Sequence, residues 1–464
     1  MLANAEELFK ALWALGDLPD DLLPAVSLTG NDLVMPSSFA VAAVAKASLA
    51  ASASAAAAIL RQRGGPAQEI GVDALHALVE FRSERYLLLD GQRLPEYWEP
   101  ISGRYLCRDG RWILVHANLP QHRKPFLSLL ECDEDRSQTE KALAKDWTSF
   151  DFEEAAARKG AVVAAIRTLE EWDAHPHSKA VLDQPLISIE RIGDAPRLDL
   201  SKSQRPLEGL RVLELTKLIA GPTCGRILAG HGAEVLLLTR PGAPTILPLF
   251  ATTGLGKRAA ELDLKTVAGI ATVKSLLQDA DVFLHSVRPG SLERLAFSSE
   301  EVAKEGRGKV VASVSAYGSV GPWGGRRGFD SIVQAAVGFN HSEGEANGTG
   351  QPTSLPVHAL DYATGNLLAF GILVGLHRRM TVGGSWSVKV ALARTAAWLR
   401  EAGRVDSYSG TVPPLEDVMP FMTEVQSGFG TLTLVRPSAI LSETPMRWAL
   451  PSVPPGTHPA RWAY

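Results

Sequence analysis

Residues 206–241 read PLEGLRVLELTKLIAGPTCGRILAGHGAEVLLLTRP. The apolar run Arg211–Leu215 predicts a strand. It enters a turn of small residues holding Gly221, Gly225 and Gly230, and a second apolar strand, Glu234–Leu238, stops at Arg240. Strand, glycine-rich turn, helix and strand make a βαβ opening, in which glycines let backbone approach a phosphate-bearing ligand at a helix N-terminus. The order here, Thr216 and then Ala220-Gly221-Pro222, departs from the Gly-x-Gly-x-x-Gly dinucleotide fingerprint. The pattern alone therefore supports a βαβ unit and names no nucleotide.

Outward from this unit, residues 206–403 alternate strand and helix patterns, as a parallel α/β sheet does. Residues 196–205 (PRLDLSKSQR) are polar and read as a linker. Residues 91–195 read as a small α+β domain, in which Tyr105–His116 makes two strands around an Asp109-Gly110 hairpin turn. Residues 1–90 read as helical, dominated by the Ala-rich run Phe39–Leu60 and by Val72–Leu88. Residues 404–464, rich in Pro and aromatics and without a long periodic segment, are expected to wrap the surface of a domain.

A faint internal repeat joins the two ends. Ala57–Gly65, Ile70-Gly71-Val72 and Ala74–Leu78 echo Gly375–Arg379 with Gly383-Gly384, Val388–Val390 and Ala391–Ala396. Read as a duplication, the N-terminal copy has lost its chemistry. No acid lies between Asp32 and Glu69, and the place matching Asp361 falls among Ala43, Val44 and Ala45.

A chain of 464 residues with 45 % apolar and 21 % charged residues holds two or more domains with sizeable cores. Its net charge of −4 gives no reason to expect nucleic acid or an anionic membrane as partner. Phe39–Leu60 is mostly Ala and Ser with Lys46 inside, so it is expected to be a buried helix and not a membrane span. Three widely spaced cysteines suggest neither a disulfide framework nor a zinc site, and a reducing, cytoplasmic location is the expectation.

Two carboxylates stand out. In Leu355–Gly365 (LPVHALDYATG) an apolar stretch ends at Asp361, and Gly365, Leu367, Leu368, Phe370 and Leu373 then begin a helical period. An acid at the head of a helix sits near the positive end of its dipole, which lowers its pKa and keeps it ionised, as a carboxylate nucleophile requires. The alternative reading is a helix N-cap. Asp330 follows Arg326-Arg327-Gly328-Phe329, in a loop after a strand ending near Ser315, where open α/β sheets bind ligands. It reads equally as a cap for the helix Ser331–Val337. His175-Pro-His177 lacks companion ligands for a metal, Ser313 and Ser315 lack a histidine at hydrolase spacing, Gly344–Gly350 reads as a flexible loop, and Lys257-Arg258 reads as surface.

Taken together, residues 206–403 resemble the class III CoA-transferase family, which includes formyl-CoA transferase, carnitine CoA-transferase and, as a racemising branch, α-methylacyl-CoA racemase. The resemblance implies a Rossmann-like large domain plus a smaller α+β domain. Here small-domain-like sequence precedes the nucleotide-binding half, a rearranged or tandem-truncated order. A closing glycine-rich loop is not evident in Gly91–Trp98. The resemblance assigns Asp361 as nucleophile and Asp330 to holding the acyl intermediate. For coenzyme A it points to Arg240 for phosphate or adenine, to Leu218, Ile219 and Leu262 for the adenine pocket, to Ser286-Val287 ahead of Arg288-Pro289-Gly290, to Arg294, and to Arg327, where the transferases carry a lysine. The racemase branch has a histidine at the place of Phe329, which cannot accept a proton. The implied function is transfer of CoA, a cosubstrate, from an acyl-CoA to a carboxylic acid through an aspartyl anhydride and thioester, with no metal. The alternatives are an acyl-CoA racemase or epimerase and a CoA-binding pseudoenzyme. The family's interlocked dimers imply a homodimer, unless fused halves here replace it.

Overall fold

The structure, a computed structural model, describes residues 4–95, 98–405 and 408–463. Glu96 and Tyr97, in the stretch read ahead of Tyr105, lie outside the described residues. The N-terminal unit holds helix α1 (Ala5–Gly16), strand β1 (Ala25–Thr29), helix α2 (Val41–Gln62), strand β2 (Glu69–Asp73) and helix α3 (Ala74–Glu80). A region expected to be helical thus contains two strands paired in parallel, from Ala25↔Glu69 to Thr29↔Asp73, and the two-residue strand Leu88–Leu89. Each of the parallel pair is only five residues long, too short for its alternation to stand out beside the Ala-rich helix.

The small sheet follows: β3 (Gly103–Leu106), β4 (Trp112–Val115) and β5 (Val163–Ala165), with helices α4 (Pro120–Leu130), α5 (Arg136–Asp146) and α6 (Ser149–Lys159). The β3–β4 hairpin turns where expected, with Gly110 at φ +74° and the Asp109 carboxylate accepting from the Ser149 N–H at 3.0 Å. Tyr105, Ile113, Phe126, Leu143 and Phe152 form its core.

Next come β6 (Ser188–Gly193), β7 (Arg211–Leu215), α7 (Ala220–Gly230), β8 (Glu234–Thr239), β9 (Lys257–Glu261), α8 (Val267–Asp279), β10 (Val282–His285), β11 (Val310–Ser315), α9 (Asp330–Ala336), α10 (Ala359–Thr381), β12 (Ser385–Ala391) and α11 (Leu392–Glu401). They build a seven-stranded sheet in the order β9-β8-β7-β10-β11-β12-β6, parallel except for β6. Alternate residues face opposite layers. Val212, Val235, Val282 and Leu284 belong to the main core, while Leu213, Leu236 and Phe283 meet Val273 and Leu277 of α8. This is the mixed α/β architecture that the alternating sequence implies.

The tail supplies strands instead of merely wrapping a domain. Met422–Ser427 and Gly430–Val435 form a hairpin that pairs with Leu88–Leu89, and β13 (Ala439–Leu441) pairs antiparallel with β2. Their alternation is too brief for a period to be visible.

The repeat is present in three dimensions. β1-α2-β2-α3, flanked by antiparallel β13, has the same order and strand directions as β11-α10-β12-α11, flanked by antiparallel β6. Asp361 is the third residue of α10, and Ala43 the third of α2. At the C-terminal edge of the N-terminal copy, Asp73 caps α3 by accepting from the Leu75 N–H at 3.0 Å, and Lys46 meets Asp32 at 2.7 Å. Both α2 and α10 are long and apolar enough to cross a membrane, yet protein encloses both. They pack on one another, with Ser52 Oγ donating to Asn366 Oδ1 at 2.9 Å. A buried ion pair, Arg226–Glu80 at 2.9 Å, ties α7 to α3.

Candidate active site

A cavity of about 560 Å³ opens at the C-terminal edge of the large sheet. The residue after each of six parallel strands lines it: Thr216 after β7, Arg240 after β8, Leu262 after β9, Ser286 after β10, Ala316 after β11 and Leu392 after β12. Parallel strands deliver their loops to one edge, so sequence-distant residues converge there. Between β7 and α7 the chain turns sharply, with Leu218 at φ +70°, a left-handed conformation that a leucine seldom adopts. Gly365 lets α10 approach α7, since a Cβ there would lie 2.7 Å from the Ala220 carbonyl oxygen.

Asp361 reaches this cavity from α10 and is 9 % exposed. The expectation that the helix start lowers its pKa does not hold. Burial, the neighbouring Asp330 carboxylate and, less strongly, Glu84 push the Asp361 carboxyl up to about 8, against the lowering by His358 and by the Ala220 N–H. The N–H groups that head the helix are spent elsewhere. Asp330 Oδ2 accepts from Leu360 N at 2.9 Å and from Asp361 N at 3.0 Å. Asp330 is thus the cap of α10, reaching across from α9, while its other oxygen accepts from the Gln334 amide. It does not line the cavity. Neither sequence reading of Asp330 included a cap for a different helix.

Below this pair lies His358, with Nε2 3.3 Å from Glu84 Oε1 and Nδ1 3.7 Å from Asp330 Oδ1. Asp330, His358 and Asp361 bring one potential ligand atom each within 4.8 Å of one another. Both Asp330 oxygens already accept hydrogen bonds, from the Gln334 amide and from the Leu360 and Asp361 N–H groups, and His358 stands beside them at ion-pair distance.

The cations are on the other side. Lys217, Arg240, Arg288 and Arg327 line the cavity, and none forms an ion pair with a carboxylate among the described residues. Burial and Arg240 hold the Lys217 amine below its ordinary value, and burial and Arg288 do the same to Arg327. Such mutual repulsion is relieved by a polyanion. Arg326 also lines the cavity but is engaged, 2.8 Å from Glu154 Oε1 and over the Trp323 ring at 4.2 Å.

Of the binding residues expected from sequence, Leu218, Arg240, Leu262, Ser286, Val287 and Arg327 line the cavity together with Asp361. Ile219 is buried in the core, and Arg294 lies off the wall, where its guanidinium donates to Ser291 Oγ at 3.2 Å. Sequence reasoning passed over Lys217 and His122 and named Arg288 only as part of the element that follows Ser286-Val287. Lys217 and Arg288 closely follow strand ends, a signal available in advance; His122 arrives from α4 with no sequence signal. Phe329 packs between His116 and His122, its ring centroid 4.2 and 5.6 Å from theirs.

Two other expectations resolve structurally. His177 is locked, with Nε2 2.9 Å from the Tyr317 carbonyl and Nδ1 accepting from the Trp323 N–H at 3.2 Å. Lys257, read as surface, is buried against Glu214 at 2.9 Å and also donates to the Pro222 carbonyl at 2.8 Å. A basic residue on a strand reads as exposed unless its buried partner, 43 positions away, is known.

A family model described as CoA-transferase family III matches residues 25–203 and 207–415. Among curated relatives, acetyl-coenzyme A transferase nodX of Hypoxylon pulicicidum is 35 % identical over 46 % of this chain and 36 % of its own length. A probable fatty acyl-CoA transferase of Mycobacterium tuberculosis is 32 % identical over 43 % of this chain and 54 % of its own. A hypothetical protein of Mycobacterium tuberculosis, known from a crystal structure, is 33 % identical over 42 % of this chain and 58 % of its own, with a TM-score of 0.40. The chain spans between about a third and just over half the length of the first of these curated relatives.

Proposed function

The chain belongs to CoA-transferase family III, and from that premise we propose that it transfers CoA from an acyl-CoA to a carboxylic acid, with Asp361 as nucleophile. One observation carries this reading: a buried carboxyl and four cations without carboxylate partners share a single cavity. The cations suit the phosphates of CoA, and the apolar wall of Leu218, Val287 and Leu262 suits its adenine.

In this scheme the ionised Asp361 carboxylate attacks the thioester carbonyl carbon. The C–S bond breaks, leaving a mixed anhydride and CoA thiolate. The thiolate attacks the aspartyl carbonyl of the anhydride, releasing the donor acid and forming an aspartyl-CoA thioester. The acceptor carboxylate then repeats the sequence in reverse and leaves as acyl-CoA. No net proton or electron is gained or lost. Asp330 fixes the backbone at Asp361 in this scheme, in place of holding the acyl group. The free thiols of Cys107, Cys132 and Cys224 suit the reducing, cytoplasmic location that we propose with this function.

The test is trapping. Incubation with a panel of short acyl-CoAs, followed by hydroxylamine or borohydride and peptide mapping, is expected to mark Asp361. No mark with any donor, despite CoA binding, would sink the covalent scheme. A racemase would instead exchange the substrate α-proton with solvent deuterium, which a transferase need not do.

The cations give a separate expectation. Arg240→Ala and Arg327→Ala should each weaken CoA about tenfold, the worth of one charge-assisted hydrogen bond. Titration calorimetry should also show a shallower salt dependence in each. Unchanged affinity in both would place the phosphates elsewhere.

A further inference from the structure

We propose that His358 is a positioning residue whose imidazolium, held by Glu84 from the N-terminal copy, allows Asp361 to ionise. The inference rests on the function proposed above and deepens it. Three carboxylates, Glu84, Asp330 and Asp361, surround this one imidazole from three segments. Glu84 sits on the single turn Ser83–Arg85 after α3 and is 3 % exposed. Its Oε2 accepts from the Tyr362 hydroxyl at 3.0 Å, which also meets Ser83 Oγ at 2.9 Å. That fixes the carboxylate with Oε1 toward His358.

The same segment holds the backbone around His358. The His358 N–H donates to the Phe81 carbonyl at 3.1 Å, and the Arg82 guanidinium donates to the Pro356 carbonyl. The ring is therefore fixed from the N-terminal copy by main chain and side chain together. An imidazole between buried carboxylates is stabilised in its protonated form, and a cation there favours ionisation of each neighbouring carboxyl. At Glu84 burial pushes the carboxyl up, but His358, Arg85 and a backbone hydrogen bond together outweigh it, and the carboxyl lies below its ordinary value.

The charged and titratable groups facing this cluster are few. Arg85 lies 3.6 Å from Glu84 and is about one-third exposed. His116, from the small sheet, is buried and held neutral, its pKa lowered to about 3 by burial first and by His122 and His358 in part. Tyr362 stays protonated because burial and Glu84 raise its pKa. Arg226 of α7 is paired with Glu80. His358 is thus the cation placed between the aspartates and Glu84.

The experiment is the pH profile of acyl-enzyme formation under single turnover, in wild type and in His358→Gln. The expected result is a midpoint moved upward by at least about one pH unit, hence at least about a tenfold lower rate at pH 7, with recovery at high pH and unchanged CoA affinity. Imidazole added to His358→Ala should move the midpoint back. A rate lowered equally at every pH would mean a merely structural role and would overturn the inference. So would an unchanged midpoint, while leaving the transferase reading intact. Histidine-selective ¹⁵N spectra of the wild type decide the matter if the variants do not fold or no acyl-enzyme forms. In the wild type an imidazolium at residue 358 at pH 7 supports the inference and a neutral ring overturns it; an imidazolium that persists unchanged in a folded Glu84→Gln overturns the part assigned to Glu84.

Discussion

Asp361→Asn is expected to abolish the acyl-enzyme, with turnover falling by at least about 10⁴-fold, because an amide cannot form the anhydride. CoA affinity should hold within about twofold, since the cations lie along the strand-end loops and not on α10. The same variant carries a stability signature of opposite sign. The Asp361 carboxyl is held at about 8 in the fold against about 4 in an unfolded chain. Between those values the unfolded chain releases the proton and the folded one retains it, so wild-type stability falls as pH rises through this window. Asparagine never ionises and escapes the loss. Its advantage over wild type should grow by about 1.4 kcal/mol for each pH unit climbed between about 5 and 8, and then level off. Quenched-flow trapping and thermal melts across that range read both effects. A variant that still turns over would remove Asp361 from the role of nucleophile; one whose stability tracks wild type at every pH would show that the fold does not raise the Asp361 pKa.

Lys257→Met is expected to cost about 3–5 kcal/mol, the largest loss of stability anticipated for any single substitution here. Lys257 is 1 % exposed and Glu214 0 %. Burial pushes the Glu214 carboxyl up and the Lys257 amine down, each toward neutrality, with the partner offsetting the change. Deleting the lysine strands a carboxylate beneath α7, where even an added methyl finds no room: a Cβ at Gly225 would lie 2.0 Å from Glu214 Oε2. The double variant Lys257→Met with Glu214→Leu should recover most of the loss, because an apolar pair of similar volume needs no ionic partner. Chemical denaturation of both proteins is the measurement. A single variant as stable as wild type would show that the pair contributes nothing net. Because Lys257 also holds the Pro222 carbonyl, the single variant should loosen the first turn of α7 and weaken CoA as well.

How much of this was legible beforehand depends on the range of the signal. The βαβ opening was readable because Val235–Leu238 is an unbroken apolar run and Val212–Leu215 nearly one, as strands buried on both faces must be. Asp361 was readable as the head of a long apolar helix. Its pKa was not, because the cap that takes the helix N–H groups is Asp330, 31 positions away, and the burial comes from elements with no local pattern. Glu84 carried no signal at all. It looks like one acid among the charges of Phe81–Tyr86, and only the packing of the N-terminal copy brings it to His358. The strands of the first ninety residues and of the tail were missed for the opposite reason, being local but too brief to show a period.

The packing of α2 on α10 ties together segments 314 residues apart, as at Ser52 and Asn366. A contact of that span closes only after most of the intervening chain exists, and its loop-closure entropy must be met before the helix bearing Asp361 can bury its face. Synthesised from the N-terminus, the first copy leaves the ribosome with an apolar helix awaiting its mate. The functional pocket is therefore a late event in the life of each molecule, and the interval before it is when the chain most needs shelter from aggregation.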